Sequence, residues 1–187
     1  MMDDEDVIIL AAFALVGAVW WWRNQQGGAI SEDITEGLDS LGEIMTTVAN
    51  KLWIPPAAAK PYLSAIAAAE NKYGLPQNLL ARLLHQESRY REDIITGKTK
   101  SPAGAIGIAQ FMPATAKEFG INPLDPFASI DAAGKYLKQL YARFKNWPEA
   151  LAAYNWGQGN VSRKGLDRAP TETKNYFSQI LADLGLA

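Results

Sequence analysis

The chain has 187 residues, 48% hydrophobic and 20% charged, with a formal net charge of −2; that suits one core of ordinary size plus appendages and excludes global disorder. With no cysteine and a single histidine, His85, it excludes disulfides, thiolate metal sites, multi-histidine zinc sites and a Ser-His-Asp triad. The small net charge hides a division: residues 1–50 carry nine acidic groups against Arg23 alone, a balance of −8, while residues 51–187 carry 17 basic and 11 acidic groups, a balance of +6. A cationic part is drawn to polyanionic surfaces. Its basic residues are scattered and no nucleic-acid module motif is present, so no nucleic-acid partner is expected.

Residues 7–22, VIILAAFALVGAVWWW, are sixteen residues without a charge. As a helix they span about 24 Å at about 1.5 Å per residue, just short of the hydrocarbon core of a bilayer. Three tryptophans followed by Arg23 make an interfacial anchor, and the acidic start MMDDED argues against a cleavable signal peptide. Residues 1–28 are therefore expected to form a hydrophobic membrane anchor, fitted by tilt or local thinning. After a short polar and glycine break, Ser31 is positioned to cap a helix with Glu32 and Asp33 in its first turn. Ile34, Leu38, Leu41, Met45, Val48 and Leu52 form one stripe along it. Residues 29–53 thus read as an amphipathic stalk helix whose 31–52 stripe can pair with a partner helix. The proline and alanine run 54–61 reads as a stiff linker, and residues 62–187 as one folded domain.

From residue 62 onward the pattern predicts helices. One runs over 62–73 and stops at Gly74; the next begins at Pro76 and carries Glu87. Residues 90–102 read as a polar loop, with pairing into a small hairpin allowed between Arg89 and Ser101. A short helix over 114–119 stops at Gly120, a long amphipathic one covers 127–144, and another runs from Pro148 to Tyr154. Thr171 is placed to cap the last helix, which buries Tyr176, Phe177, Ile180, Leu181 and Leu184.

The residue that organises this domain is Glu87. Leu80, Leu83, Leu84 and Glu87 recur at helical spacing, which sets a carboxylate at the C-terminal end of an apolar stripe. A lone glutamate there is ordinarily a solvated helix end. Its place also opposes the helix macrodipole, so no propensity argument accounts for it. Burial raises the pKa of a carboxylate, and an acid still protonated near neutral pH can act as a general acid. Glu92 and Asp93, in the polar loop, read as solvated.

Three short motifs accompany Glu87 in order: Glu87-Ser88; Gly104-x-x-Gly107-x-x-Gln110-x-Met112-Pro113; and Ala153-Tyr154-Asn155-x-Gly157. Each is weak alone. Together, within one helical stretch, they resemble the lytic transglycosylase family, whose catalytic domain is similar to goose-type lysozyme. The resemblance runs over about residues 62–184. Ile108-Ala109 departs from the family's usual Leu-Met pair, and Trp156 stands where alanine is common.

The resemblance implies an all-α, mainly helical lysozyme-like domain that cleaves the β-1,4 bond between N-acetylmuramic acid and N-acetylglucosamine in peptidoglycan. It implies Glu87 as the catalytic acid and base, with Ser88, Ser101, Gln110, Met112, Thr115, Tyr154 and Glu172 as substrate contacts. Asn155 is counted with these substrate-binding residues, although a brace for its loop is read slightly ahead of a catalytic role. Ordinary glycosidases use two carboxyl groups. Here one suffices, because in this family the substrate's N-acetyl group assists departure and its C6 hydroxyl closes a 1,6-anhydro ring, with no metal and no cofactor. Gln110 offers donor and acceptor to hydroxyl and acetamido groups, Met112 a soft apolar contact, Tyr154 a hydrogen bond to Glu87 or to the acetamido group. Trp156 is equally a sugar platform or core filler.

The expected setting is a membrane-anchored enzyme opening the wall locally, on a host membrane facing the wall or on a virion membrane. Arg23 alone votes for the cytoplasmic side. A hydrolytic goose-type muramidase and a non-catalytic wall-binding or virion module are the two rival readings.

Overall fold

The computed structural model describes residues 53–186; the anchor expected over 7–22 and the stripe of 31–52 lie outside the described residues. Among the described residues no helix is long and apolar enough to cross a membrane. The fold is mainly helical. A 3₁₀ helix, Ala57–Tyr62, leads into α1 (Leu63–Tyr73), α2 (Leu79–Ser88), the single turn α3 (Glu92–Ile95), α4 (Pro113–Phe119), α5 (Pro126–Phe144), α6 (Trp147–Trp156), α7 (Gln158–Lys164) and α8 (Thr171–Asp183). No strand forms among the described residues; one isolated antiparallel bridge joins Ile106 and Phe111. It lies beyond the interval where a hairpin was allowed, and Glu92–Ile95 is helical instead, with Glu92 and Asp93 in its first turn.

The centre is α2. Leu79, Leu80, Leu83 and Leu84 are fully buried and Ala81 nearly so, so the helix is covered on more faces than a single stripe requires. Helices α1 and α8 pack on it; α5 lies against α1 and α6, and α6 against α8 and α7. The second all-round buried helix is α6, with Ala150, Leu151, Ala152 and Ala153 inaccessible. Short side chains there let its neighbours approach closely.

Helix ends explain where sequence and structure part. Gly74 (φ 62°) closes α1 as expected, but α2 begins at Leu79 and not at Pro76, behind Asn78 in the left-handed region (φ 63°). Asp125 accepts from the N–H groups of Phe127 and Ala128, which starts α5 one residue early, at Pro126. Helix α6 runs on to Trp156, capped by Asn146 through the N–H of Glu149. Pro170 precedes α8, and Thr171 makes no side-chain cap. Helix α7 has no counterpart in the sequence reading.

The proline and alanine segment does not stand off the domain. Residues 57–62 wind into the 3₁₀ helix, and Ala59 is fully buried. Trp53, assigned above to the end of the stalk helix, packs its indole on His85 (ring centroids 5.7 Å apart) and under the Arg82 guanidinium. The Trp53 backbone N–H donates to the Asp183 carbonyl at 3.3 Å. Partial burial of that indole holds the chain on the domain before the prolines are reached.

Candidate active site around Glu87

Glu87 occupies the last turn of α2, half-buried, where the helix ends against α8. Tyr176, itself buried on α8, donates its phenolic hydrogen to Glu87 Oε1 at 2.5 Å. Desolvation by the surrounding core raises the Glu87 pKa from the usual 4.5 to about 7; the Tyr176 hydrogen bond, which favours the ionised form, holds it from going higher. The side chain can therefore both give and take a proton near neutrality.

The chain leaves α2 through a strained corner. Arg89 (φ 51°) and Tyr90 (φ 55°) are consecutive non-glycine residues in the left-handed region. Ser88 holds that corner. Its buried hydroxyl donates to the Leu84 carbonyl (3.1 Å) and accepts from the Tyr90 N–H (3.2 Å), while the Tyr90 hydroxyl donates to the Ala81 carbonyl (2.8 Å). Ser88 was expected as a substrate contact; it is 1% exposed and committed to backbone, so what it does here is fix the direction of the helix end.

The second motif forms the turn bridged by Ile106 and Phe111. Gly107 has φ 79°, and a Cβ there would lie 1.9 Å from the Pro123 carbonyl oxygen, so this glycine is required by close approach. Gln110 also has positive φ (47°), and its Nε2 donates to the Gly107 carbonyl at 2.8 Å. Ser101 accepts the Ala105 N–H through its hydroxyl at 2.8 Å, shaping the approach to the turn. Met112 is 44% exposed just before α4, and Thr115 is half-buried on that helix. Ile108 and Ala109, the departures from the family pattern, are both fully buried.

The third motif lies on α6. Tyr154 donates to the Ala109 carbonyl at 3.0 Å, and so joins α6 to the Gly107–Gln110 turn. It does not hydrogen-bond Glu87, the partner the sequence offered it; Tyr176 has that role. Burial raises the Tyr154 phenol pKa well above its usual value, and the Glu87 charge adds to that rise. Asn155 is exposed within α6, not in a loop, and accepts from the Thr173 hydroxyl at 2.8 Å, which ties α6 to α8. Trp156 is half-buried with the Lys164 ammonium 5.2 Å from its ring centroid. Glu172 is exposed in the first turn of α8. Among the described residues no hydrogen bond ties Ser101, Met112, Thr115 or Glu172 to Glu87.

Two other carboxylates near the helix end are spoken for or solvated. Asp93 is gripped by Arg91 (2.7 and 3.1 Å), which holds its carboxyl below the usual range; Glu92 is exposed. A cavity of about 530 Å³ bounded by Tyr62, Tyr90, Ile95 and Leu124 contains none of the expected site residues. The residue that sequence reasoning missed is Tyr176. A tyrosine on the buried face of an amphipathic helix needs a partner for its hydroxyl, and that requirement was the available signal.

A desolvated carboxyl set among helices, paired with Tyr176 and felt by Tyr154, which in turn holds the glycine turn, is consistent with a lysozyme-like class of all-α domain. The chain belongs to the transglycosylase SLT domain family, whose model matches residues 64–177. It is 31% identical over 133 residues to the transglycosylase of Enterobacteria phage PRD1, covering 70% of this chain and 45% of that one. With the soluble lytic murein transglycosylase of Escherichia coli K12 it shares 33% identity over 166 residues, covering 74% and 25%. A third relative, the membrane-bound lytic murein transglycosylase F of Stutzerimonas stutzeri, is 35% identical over 108 residues, covering 54% and 21%. The chain thus spans less than half the length of these curated relatives. Among solved structures, the 70 kDa soluble lytic transglycosylase SLT70 of Escherichia coli superposes with a TM-score of 0.53 at 30% identity, over 65% of this chain and 23% of that one. An inactive mutant of lytic transglycosylase Slt from Pseudomonas aeruginosa has the same fold (TM-score 0.55, 24% identity, 65% and 23%).

Proposed function

We propose that this chain is a peptidoglycan lytic transglycosylase in which Glu87 is the only catalytic carboxyl. The observation that carries the reading is the pairing of Glu87 with Tyr176 in a desolvated setting that raises the acid to about 7. Asp93, held ionised by Arg91, is unsuited to protonate a leaving group, and Glu92 is exposed.

In the proposed reaction Glu87 gives its proton to the glycosidic oxygen as the bond from C1 of N-acetylmuramic acid breaks, and the sugar's own acetamido oxygen shares the positive charge at C1. The Glu87 carboxylate then takes the proton from the C6 hydroxyl as that oxygen bonds to C1. A 1,6-anhydro ring forms, the acetamido group is released and the acid is restored, so no water is consumed. Gln110, Met112, Thr115, Ser101 and Glu172 are the proposed contacts along the glycan. Tyr154 and Asn155 fix the Gly107–Gln110 turn and α8 beside it, and Ser88 fixes the end of α2.

The family resemblance and the phage relative are consistent with local opening of a cell wall. The uncharged run 7–22 supports a membrane-anchored chain with residues 29–52 as a stalk and residues 53–187 as the catalytic part, moved forward from residue 62 because Trp53 packs on His85 and Ala59 is buried in it. Deleting residues 1–28 is expected to leave a protein that no longer sediments with membranes; continued sedimentation refutes the anchor.

Digestion of purified sacculi by the full chain, with the products weighed by mass spectrometry, tests the reaction. Anhydro ends support it. Reducing ends about 18 Da heavier, one added water, would identify a hydrolase, and intact sacculi a binding module.

A further inference from the structure

Glu70 lies on α1, 7% exposed, and has no part in the chemistry just described. Its backbone closes one helix and its side chain opens the next. The Glu70 carbonyl accepts from the Leu75 N–H at 2.9 Å, completing the turn through Gly74 that ends α1. Its carboxylate accepts from the N–H groups of Asn78 (3.1 Å), Leu80 (2.8 Å) and Ala81 (3.3 Å). Helix α2 has no side-chain cap of its own, because Asn78 is in the left-handed region and offers none. Leu79 N–H is taken by the Pro76 carbonyl and Arg82 N–H by the Asn78 carbonyl, so Glu70 supplies every remaining acceptor of the first turn.

That arrangement is particular to a carboxylate. Both oxygens face N–H donors, and a glutamine would have to turn an NH₂ group onto at least one of them. Burial raises the Glu70 pKa while the three N–H groups oppose the rise. Among the described residues no cation pairs with Glu70. Lys72, on its own helix, pairs with Asp131 of α5, which also accepts from Tyr73; Arg82 of α2 turns to Asp183 of α8; Tyr90 is the titratable group that feels the Glu70 charge.

We propose that Glu70 is a positioning residue for Glu87, acting through α2: its carboxylate fixes where the helix starts, and so where the acid at the other end stands against Tyr176. The inference rests on the reading of Glu87 as the catalytic acid. The helix separates the two carboxyls by about 13 Å at about 1.5 Å per residue.

The test is carboxyl-carbon NMR titration of the full chain labelled at glutamate, which needs no substrate. Glu70→Gln is expected to raise the midpoint of Glu87 by up to about one unit, because the displaced helix end loosens the Tyr176 hydrogen bond that favours the carboxylate. On glycan fragments it is expected to cut turnover about tenfold through kcat rather than KM, as misplacement of an acid does. A variant that melts earlier but titrates Glu87 unchanged would reduce Glu70 to a stability cap and overturn the proposal. Should Glu70→Gln not fold, Glu70→Asp decides: it keeps the charge but is one methylene too short to hold all three N–H groups, so the Glu87 midpoint rises, or stays put and refutes the idea. A chain that cleaves no peptidoglycan would sink the enzyme reading, while the titration would still judge Glu70.

Discussion

Tyr176 and Glu87 are 89 residues apart in the chain, yet their oxygens meet at 2.5 Å, and the phenol is the donor. The bond favours ionised Glu87 and so opposes the burial that raises its pKa. Tyr176→Phe removes that opposition and keeps the burial. The Glu87 midpoint is expected to climb from about 7 by about one unit, the worth of a hydrogen bond to a charged group. The alkaline limb of kcat/KM, which reports loss of the acid's proton, should move to higher pH by the same amount. A downward or absent shift would mean that the hydroxyl does not hold the carboxylate.

Glu87→Gln keeps the size and hydrogen-bonding reach of the side chain but removes the exchangeable proton. Release of soluble fragments from sacculi is expected to fall by at least about a thousandfold, because donation and later abstraction are both lost. Circular dichroism should be unchanged. A variant of equal activity would remove Glu87 from the mechanism.

The same substitution reports on stability. The folded midpoint of about 7 stands above the usual 4.5, so between those values the folded state binds more protons than the unfolded one. Stability from this group is full below about pH 4.5 and is lost as pH rises through about 7. At pH 8 the ionised carboxylate costs the fold up to about 3 kcal/mol. Glu87→Gln should therefore be more stable than the parent at pH 8 by up to that amount, with the gain vanishing at pH 4. Urea denaturation at the two pH values measures it.

How much of this could be read beforehand depends on where each residue's partner lies. Glu87 was legible because its own helix repeats: Leu80, Leu83 and Leu84 point to the same face. Tyr176 was placed on the buried face of its helix but not at the site, because its partner lies on α2, across long-range packing that one sequence does not encode locally. Glu70 escaped for the same reason. The cap of α2 comes from α1, whereas the sequence suggested Pro76 as the start. Helix α7, QGNVSRK, buries only Val161 and so offers no periodic signal. The Gly107–Gln110 turn was found by its glycines, although which of them the fold requires became clear only from the approach of Pro123.

Those two glycines make a matched pair of substitutions. Gly104 and Gly107 both have positive φ, 86° and 79°, so alanine is strained at either. At Gly104 a Cβ meets nothing within 4 Å, leaving only the conformational cost, about 1 kcal/mol. At Gly107 it would meet the Pro123 carbonyl oxygen at 1.9 Å, and backbone cannot swing aside as a flexible side chain can. Gly107→Ala is expected to cost more than about 3 kcal/mol, or to displace the turn that carries Gln110 and receives Tyr154. Urea denaturation of the two variants side by side measures the difference. Activity should follow the turn: Gly104→Ala retains most of it, and Gly107→Ala loses it even where the helices remain folded. Equal losses of stability would mean that the segment around Pro123 yields, and that its contact with the turn is not what shapes the site.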